Sequence, residues 1–508
     1  MQQAKTILTQ RCLLKIEAWG NTLPHPTMLF IYLSLLVLAL SWLGEYWMLV
    51  ATHPVSGEAV KVVNLLSVAG LNQMLSKMVT NFIKFAPVGP VLVAMLGLGI
   101  AERSGLIQTA LKLLVLQAPA KLLTFIVVLA GVLSSIAVDS GYVVMIPMAG
   151  LIFLAAGRHP LAGIAACFAG VSGGFSANLL IGPVDVILGG ISTEAAHLLD
   201  ADYEVTATAN YYFIIASTLL IAGLATWVTE RYICPLLGEY KGAETSDMDA
   251  ALLPAERKGL CVASLAGLLI VAFVLWGLIP EQGFLRHPET GGIIKSPFMS
   301  GLIALIAISA GIMGSLYGWL SGRFKSHVDV IESMEKTMAL MATYIVLMFF
   351  AAQFVNYFSW TNLGLILAIN GANFLQNSGF GTIPLMLGFI FFCSFANLFI
   401  GSASAKWAIM APIFIPMFML LGIAPEVVQA AYRVGDSSTN IITPLMPYFA
   451  LVFAFMKRYD DKAGVGTMMI LMLPYSLAFL FGWGLLLSIW LALGIPLGPG
   501  GSLFVLVQ

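Results

Sequence analysis

Charge is what this sequence has least of. Only 10% of its 508 residues are Asp, Glu, Lys or Arg, against about 25% in a soluble domain. A chain of this length cannot coat a water-facing surface with so few charges. Its 59% apolar content makes a lipid bilayer its main solvent. The net charge of -1 gives no basis for a nucleic-acid partner. Cysteine is also sparse. Cys12, Cys167, Cys234, Cys261 and Cys393 form no CxxC pair and no metal-ligand spacing, and they read as small core hydrophobes. No HExxH helix is present, which sets aside an intramembrane zinc protease. Gly435-Asp436 resembles one half of an intramembrane aspartyl protease motif. However, Tyr432 stands where that motif needs its first Gly, and no second motif appears on a neighbouring span. An enzyme is therefore not expected. No Walker motif is present, so nucleotide hydrolysis is not expected either. Residues 1–26 carry Lys5, Arg11 and Lys15 without a cleavable signal pattern, so the first apolar run is expected to stay as an anchor.

What is present is a series of apolar runs of helical length, which excludes an outer-membrane barrel. A span needs about 20 apolar residues. Full-length candidates lie at about 28–50, 85–101, 161–188, 211–232, 259–279, 298–320, 337–358, 426–456 and 467–494, nine in all. Two further stretches, 121–157 and 384–421, are interrupted at their middles, by Ser134 to Gly141 and by Gly401 to Lys406. Their arms are marginal for a crossing and suit re-entrant hairpins. Basic residues test this reading. With a cytoplasmic N-terminus and both stretches returning to their own side, seventeen Lys and Arg fall inside. Only Lys61, Lys77, Lys84, Arg286 and Lys295 fall outside, and Lys406 and Arg433 lie in the membrane. Letting either stretch cross would move every later loop to the other side and lose the bias. The first hairpin then opens from the cytoplasm and the second from outside.

Opposed hairpins predict an inverted repeat. A shift of 265 residues aligns Met145/Met410, Pro147/Pro412, Gly157/Gly422, Pro160/Pro425, Ala165/Ala430, Ala166/Ala431, Gly170/Gly435 and Ser172/Ser437. The same shift lays one hairpin tip on the other. It also lays Gly170-Val171-Ser172-Gly173-Gly174 on Gly435-Asp436-Ser437-Ser438-Thr439, where both helices are expected to unwind near the midplane. The fold class is thus an all-α polytopic membrane protein of about nine transmembrane helices and two re-entrant hairpins in an inverted-topology repeat.

An ionisable group at membrane depth costs about 2.5–3.5 kcal/mol and marks function by default. The candidates are Asp139 at the first tip, Asp185 ending the first broken helix, Lys406 at the second tip, and Arg433 and Asp436 in the second broken helix; Glu102 sits near a cytoplasmic end where water can reach it. Arg433 and Asp436 are three apart and share a helix face. They either satisfy each other or leave Arg433 to clamp a carboxylate in bidentate fashion. Phe168 matches Arg433 in the repeat, so the scaffold does not demand that charge. Trp407 follows the second tip, as a packing residue or as a stacking face for an aromatic ligand. The oxygen-rich run from Asp436 to Asn440 suits Na⁺ if unwound; the alternative is that its hydroxyls only rebond broken backbone. Ion-coupling candidates are Asp139, Asn178, Asp436, Ser437, Ser438 and Asn440, with a possible Na⁺ site near Ser437, Ser438 and Asn440.

Several segments carry a family resemblance. They are Phe85 to Pro90 with Ala101 to Leu106, Gly157-Arg158-His159-Pro160, Ser176 to Leu180 continuing to Asp185, and Gly190 to Ala196. In the second half they are Gly401 to Ser404 with Trp407, Ala411 to Gly422, and Arg433 with Asp436-Ser437-Ser438. Together they resemble the aminobenzoyl-glutamate transporter (AbgT) family from about Trp19 to Pro499. The resemblance implies a homodimer of nine-helix, two-hairpin protomers in the bacterial inner membrane. It implies import of p-aminobenzoyl-glutamate or related aminobenzoate compounds, or alternatively efflux of p-aminobenzoate-like sulfonamides. An anion channel is the distant alternative. By resemblance the substrate-contacting positions are Asp185, Asn397, Ser404, Trp407, Pro425, Arg433 and Asp436. No cofactor is expected beyond a coupling Na⁺ or H⁺, between which the residues do not choose. The expected division of the chain is as follows: a cytoplasmic N-terminus (1–27); a scaffold or dimerisation helix with an interfacial segment (28–84); a first repeat (85–210, hairpin 121–157, broken helix 161–188); scaffold or dimerisation helices (211–336); a second repeat (337–456, hairpin 384–421, broken helix 426–456); and a final helix with the C-terminus (457–508).

Overall fold

The computed structural model describes residues 25–52, 57–136, 141–240, 252–293, 296–443, 445–446, 448–461 and 463–505. Asp139 lies outside them, as do residues 1–24. Among the described residues the protein is helical apart from one two-stranded hairpin, Val50–Thr52 with Ala59–Lys61.

Among the described residues, seven helical segments are long and apolar enough to cross a bilayer: Pro26–Tyr46, Val68–Arg103, Tyr211–Leu237, Pro254–Leu278, Pro297–Leu320, Ala342–Trp360 and Gly466–Ala492. They correspond to seven of the nine runs read from the sequence. The other two, 161–188 and 426–456, are not continuous helices. Pro160–Phe168 runs through a π turn, Ala169–Gly173, and the next helix is Pro183–Ala196; Pro425–Asn440 is followed by Phe449–Lys457. Proline explains the first restart. Gly182, the residue before Pro183, is extended at φ -112° and ψ 178°, a conformation that cannot continue a helix. Pro183 then begins the new one, where its missing N–H costs nothing.

The interrupted stretches are pairs of short helices. The first is Leu123–Leu133 with Ile146–Ala155, and the second is Thr382–Asn397 with Ala403–Met419. At 1.5 Å per residue even the longest arm reaches only about 26 Å, short of a hydrocarbon core of about 30 Å. Helix Leu106–Leu116 precedes the first pair and is bent 115° from it, so this pair of segments could count as an eighth span. That helix was not separated in the sequence, nor were His327–Leu340 and Leu363–Asn377.

Several positions paired by the 265-residue shift occupy matching places. Pro160 and Pro425 both occupy the first turn of their helices. Gly157 and Gly422, just upstream, both have left-handed backbones, at φ +71° and +79°. The arm Leu123–Leu133 packs on Pro160–Gly173, and Thr382–Asn397 packs on Pro425–Asn440. The glycine pair Gly170/Gly435 fixes both contacts. A Cβ on Gly170 would lie 2.5 Å from the Val128 carbonyl oxygen, and one on Gly435 would lie 2.5 Å from that of Ile390. The two units also interlock: Ala403–Met419 packs on Pro183–Ala196, and Ile146–Ala155 touches Phe449–Lys457.

Candidate functional site

The second broken helix departs from expectation in one respect. Helix Pro425–Asn440 is continuous through Asp436-Ser437-Ser438-Thr439-Asn440, and the chain leaves the helix only after Asn440. The hydroxyls expected to sit on unwound backbone hold the helix instead. Ser438 Oγ donates to the Val434 carbonyl at 2.5 Å, and Thr439 Oγ1 donates to that of Gly435 at 3.1 Å. Back-bonding of this kind is the ordinary behaviour of Ser and Thr in a helix out of reach of water. Asn440 Oδ1 accepts from Asn397 Nδ2 at 2.8 Å. Of the polar atoms expected for a Na⁺ site, the buried Ser437 Oγ has no hydrogen-bond partner among the described residues.

The charges pair across elements and not along the helix. Arg433 and Asp436 do not form the expected pair. Arg433 Nη2 donates to Asp185 Oδ1 at 2.5 Å, joining the second broken helix to the first. Asp436 pairs with the Lys406 ammonium from the second hairpin. All four side chains are buried. Two crossed pairs cancel the charge, which is the condition for keeping four ionised groups away from water. Asp185 is fixed by its own helix: as the third residue after Gly182, its Oδ2 accepts the Gly182 N–H at 2.7 Å, a capping geometry.

Asn397, the last residue of its arm, is the hub. Its Nδ2 faces the Asp436 carbonyl at 2.7 Å, Thr439 Oγ1 at 2.9 Å and Asn440 Oδ1 at 2.8 Å, while its Oδ1 accepts from Lys406. Trp407 is fully buried. Its ring stacks on Tyr432 at 4.4 Å, and its Nε1 donates to Ser192 Oγ at 3.0 Å. In this conformation Trp407 packs between elements and offers no exposed face. Ser404 is half-buried at the start of its helix, with its Oγ 3.5 Å from that of Ser402. Pro425 starts its helix and lies about 12 Å along the axis from Arg433, so it is not joined to the charged cluster. Asn178 is tied to the first tip, with Nδ2 donating to Ser135 Oγ at 3.0 Å. Glu102 ends its helix half-buried.

The sequence reading missed the polar relay behind Trp407. Ser192 donates to Gln429 at 2.6 Å, Gln429 donates to Asn210 at 2.9 Å, and Asn210 donates to the Glu426 carbonyl at 2.9 Å. The signal was available, since Gln429 shares a face with Arg433 on an otherwise apolar run. A groove of about 560 Å³ between Val88–Arg103 and Pro297–Leu320 is lined by Val93, Ile100, Ile308 and Trp319 and holds none of these charges.

Paired charges at the meeting of two hairpins and two interrupted helices, inside a bundle of membrane-length helices, define a membrane transporter. Comparison with known proteins gives the family. The "AbgT putative transporter family" matches residues 11–505, and the chain belongs to it. The p-aminobenzoyl-glutamate transport protein of Escherichia coli (strain K12) is 39% identical over 485 residues, 96% of this chain and 95% of that protein. The crystal structure of the YdaH transporter of Alcanivorax borkumensis superposes with a TM-score of 0.90 at 51% identity, over 94% of this chain and all of that one. MtrF of Neisseria gonorrhoeae, described with a class of antimetabolite efflux pumps, gives 0.92 at 45% identity, over 96% of this chain and all of that one.

Proposed function

We propose that this chain is an ion-gradient-driven secondary carrier of p-aminobenzoyl-glutamate or related aminobenzoate compounds, working as a homodimer in the inner membrane with its N-terminus in the cytoplasm. The observation that carries the substrate class is at Arg433. Its Nη2 holds Asp185, yet its buried Nε and Nη1 have no hydrogen-bond partner among the described residues. Unspent donors on a buried guanidinium are costly, and their planar fork matches a carboxylate. The name of the Escherichia coli relative agrees with a carboxylate-bearing aryl substrate. In this reading the two units form an inverted-topology repeat that rocks about the charged cluster. The basic-residue bias supports the orientation. The largely uncovered helices Pro254–Leu278 and Pro297–Leu320 meet lipid and the second copy.

The test is equilibrium binding of p-aminobenzoyl-glutamate and of a neutral aryl amide analogue to wild type and Arg433→Lys. Losing charged hydrogen bonds worth about 1.5–3 kcal/mol weakens the carboxylate ligand roughly ten- to hundredfold, while the neutral analogue changes little. Equal losses for both ligands would make Arg433 only the structural partner of Asp185. Efflux of antimetabolites is a second reading, favoured by the likeness to MtrF. Transport of a sulfonamide against its gradient out of cells distinguishes it from import.

A further inference from the structure

We propose that the Lys406 ammonium is a tethered cation occupying an oxygen cage of the kind that binds Na⁺ in secondary carriers, so that this carrier works without Na⁺. The inference rests on reading the charged cluster as the transport site. Three oxygens surround Nζ: Asp436 Oδ1, Asn397 Oδ1 and, at 3.4 Å, the Ile400 carbonyl. A carboxylate, an amide oxygen and a backbone carbonyl freed at a helix end are the hard donors that such sites offer to a small cation. The cage is built for positive charge. Asn397 closes helix Thr382–Asn397, and Ile400 follows it outside the helix, so the negative end of the helix dipole points there. The amide of Asn397 is held with its nitrogen toward Asp436 O, Thr439 Oγ1 and Asn440 Oδ1, which commits its oxygen to the cation.

Charge balance makes the same point. Lys406 and Arg433 offset Asp185 and Asp436, and a Na⁺ added beside Nζ would leave one positive charge without a partner in a buried cluster. Lys406 is 1% exposed, so its ammonium sits in the cage away from water. Removing the ammonium reverses the balance: Asp436 is left with one uncompensated negative charge among oxygen ligands, and Na⁺ becomes the fitting replacement.

The experiment uses the full-length protein in two assays. Counterflow of p-aminobenzoyl-glutamate in proteoliposomes is measured with Na⁺ or choline on both sides. Thermal unfolding of the purified protein is followed in the same two salts and needs no substrate. Wild type is expected to give counterflow equal within about twofold, and the same melting temperature, in both salts. Lys406→Ala is expected to melt higher in Na⁺ than in choline and to regain transport, by roughly tenfold or more, only in Na⁺. The double variant Lys406→Ala/Asp436→Asn, which restores neutrality, is expected to lose that Na⁺ response. Wild-type counterflow that stops in choline, or wild-type melting that rises only with Na⁺, overturns the proposal. So does a Lys406→Ala protein that folds and ignores Na⁺. If Lys406→Ala does not fold, the wild-type arms decide alone. Absence of counterflow in every salt would instead condemn the substrate reading, and the melting arms would still decide the role of Lys406.

Discussion

The two stretches paired by the 265-residue shift share turns and helix starts and differ in what fills them. Each has a hairpin, a left-handed glycine (Gly157 or Gly422), a proline-initiated helix and a glycine pressed on a carbonyl of the first hairpin arm (Gly170 or Gly435). At the positions where the second unit carries Asn397, Lys406, Arg433 and Asp436, the first carries Val132, Gly141, Phe168 and Val171. At those positions the first unit is packed without charge. The charges of the second unit carry a desolvation cost that the aligned positions of the first unit do not. Among the described residues, the first unit gives the charged cluster Asp185, from the second segment of its broken helix, opposite an alanine, Ala450, in the other unit. Within this cluster, neither unit's charges balance without the other's.

That contrast breaks most sharply at the Lys406–Asp436 pair. Lys406→Met alone leaves a buried carboxylate unpaired and is expected to cost about 3–5 kcal/mol. Lys406→Met with Asp436→Leu, which imitates the apolar first unit, is expected to fold at least as stably as wild type while losing transport. Thermal unfolding and proteoliposome uptake on the same preparations check this. A double variant as unstable as the single one would mean that the second unit needs its charges to fold.

The shared glycines test the similarity. Gly170→Ala and Gly435→Ala each push a methyl group against a backbone carbonyl and are each expected to cost about 1–3 kcal/mol in thermal unfolding. A Gly170→Ala protein with unchanged melting would show that the two contacts are not equivalent.

The prolines give the smallest effect and sharpen the division of labour. Pro160→Ala and Pro425→Ala are each expected to cost about 0.4–1 kcal/mol, through the freer unfolded chain. If Pro425 also contacts substrate, its variant loses uptake at a stability equal to that of Pro160→Ala. Equal uptake by both variants would return Pro425 to the scaffold.

Much of this fold was legible because membrane proteins obey few rules. Seven continuous spans follow from apolar length alone. The repeat followed from eight identities whose Pro and Gly members carry geometric demands, and the structure places Pro160/Pro425 and Gly157/Gly422 in matching conformations. The amphipathic helix Leu106–Leu116 was missed because its apolar face merges with the hairpin that follows. The extent of unwinding at Ser437-Ser438-Thr439 was misread. Composition shows that hydroxyls are present but not whether they replace backbone bonds or reinforce them, and here they reinforce.

By itself the sequence determined that this chain is a multi-pass membrane protein and pointed to a repeat and to a handful of candidate charges, because each of these is a statement about composition or spacing. Only the tertiary structure decided how those charges pair. Spacing on one helix put Arg433 beside Asp436. The fold brought Asp185 and Lys406 from two other elements to them, and the desolvated charges took the partners that leave neither pair unbalanced. Pairing is a property of which helix ends meet, and no local rule in the sequence encodes that.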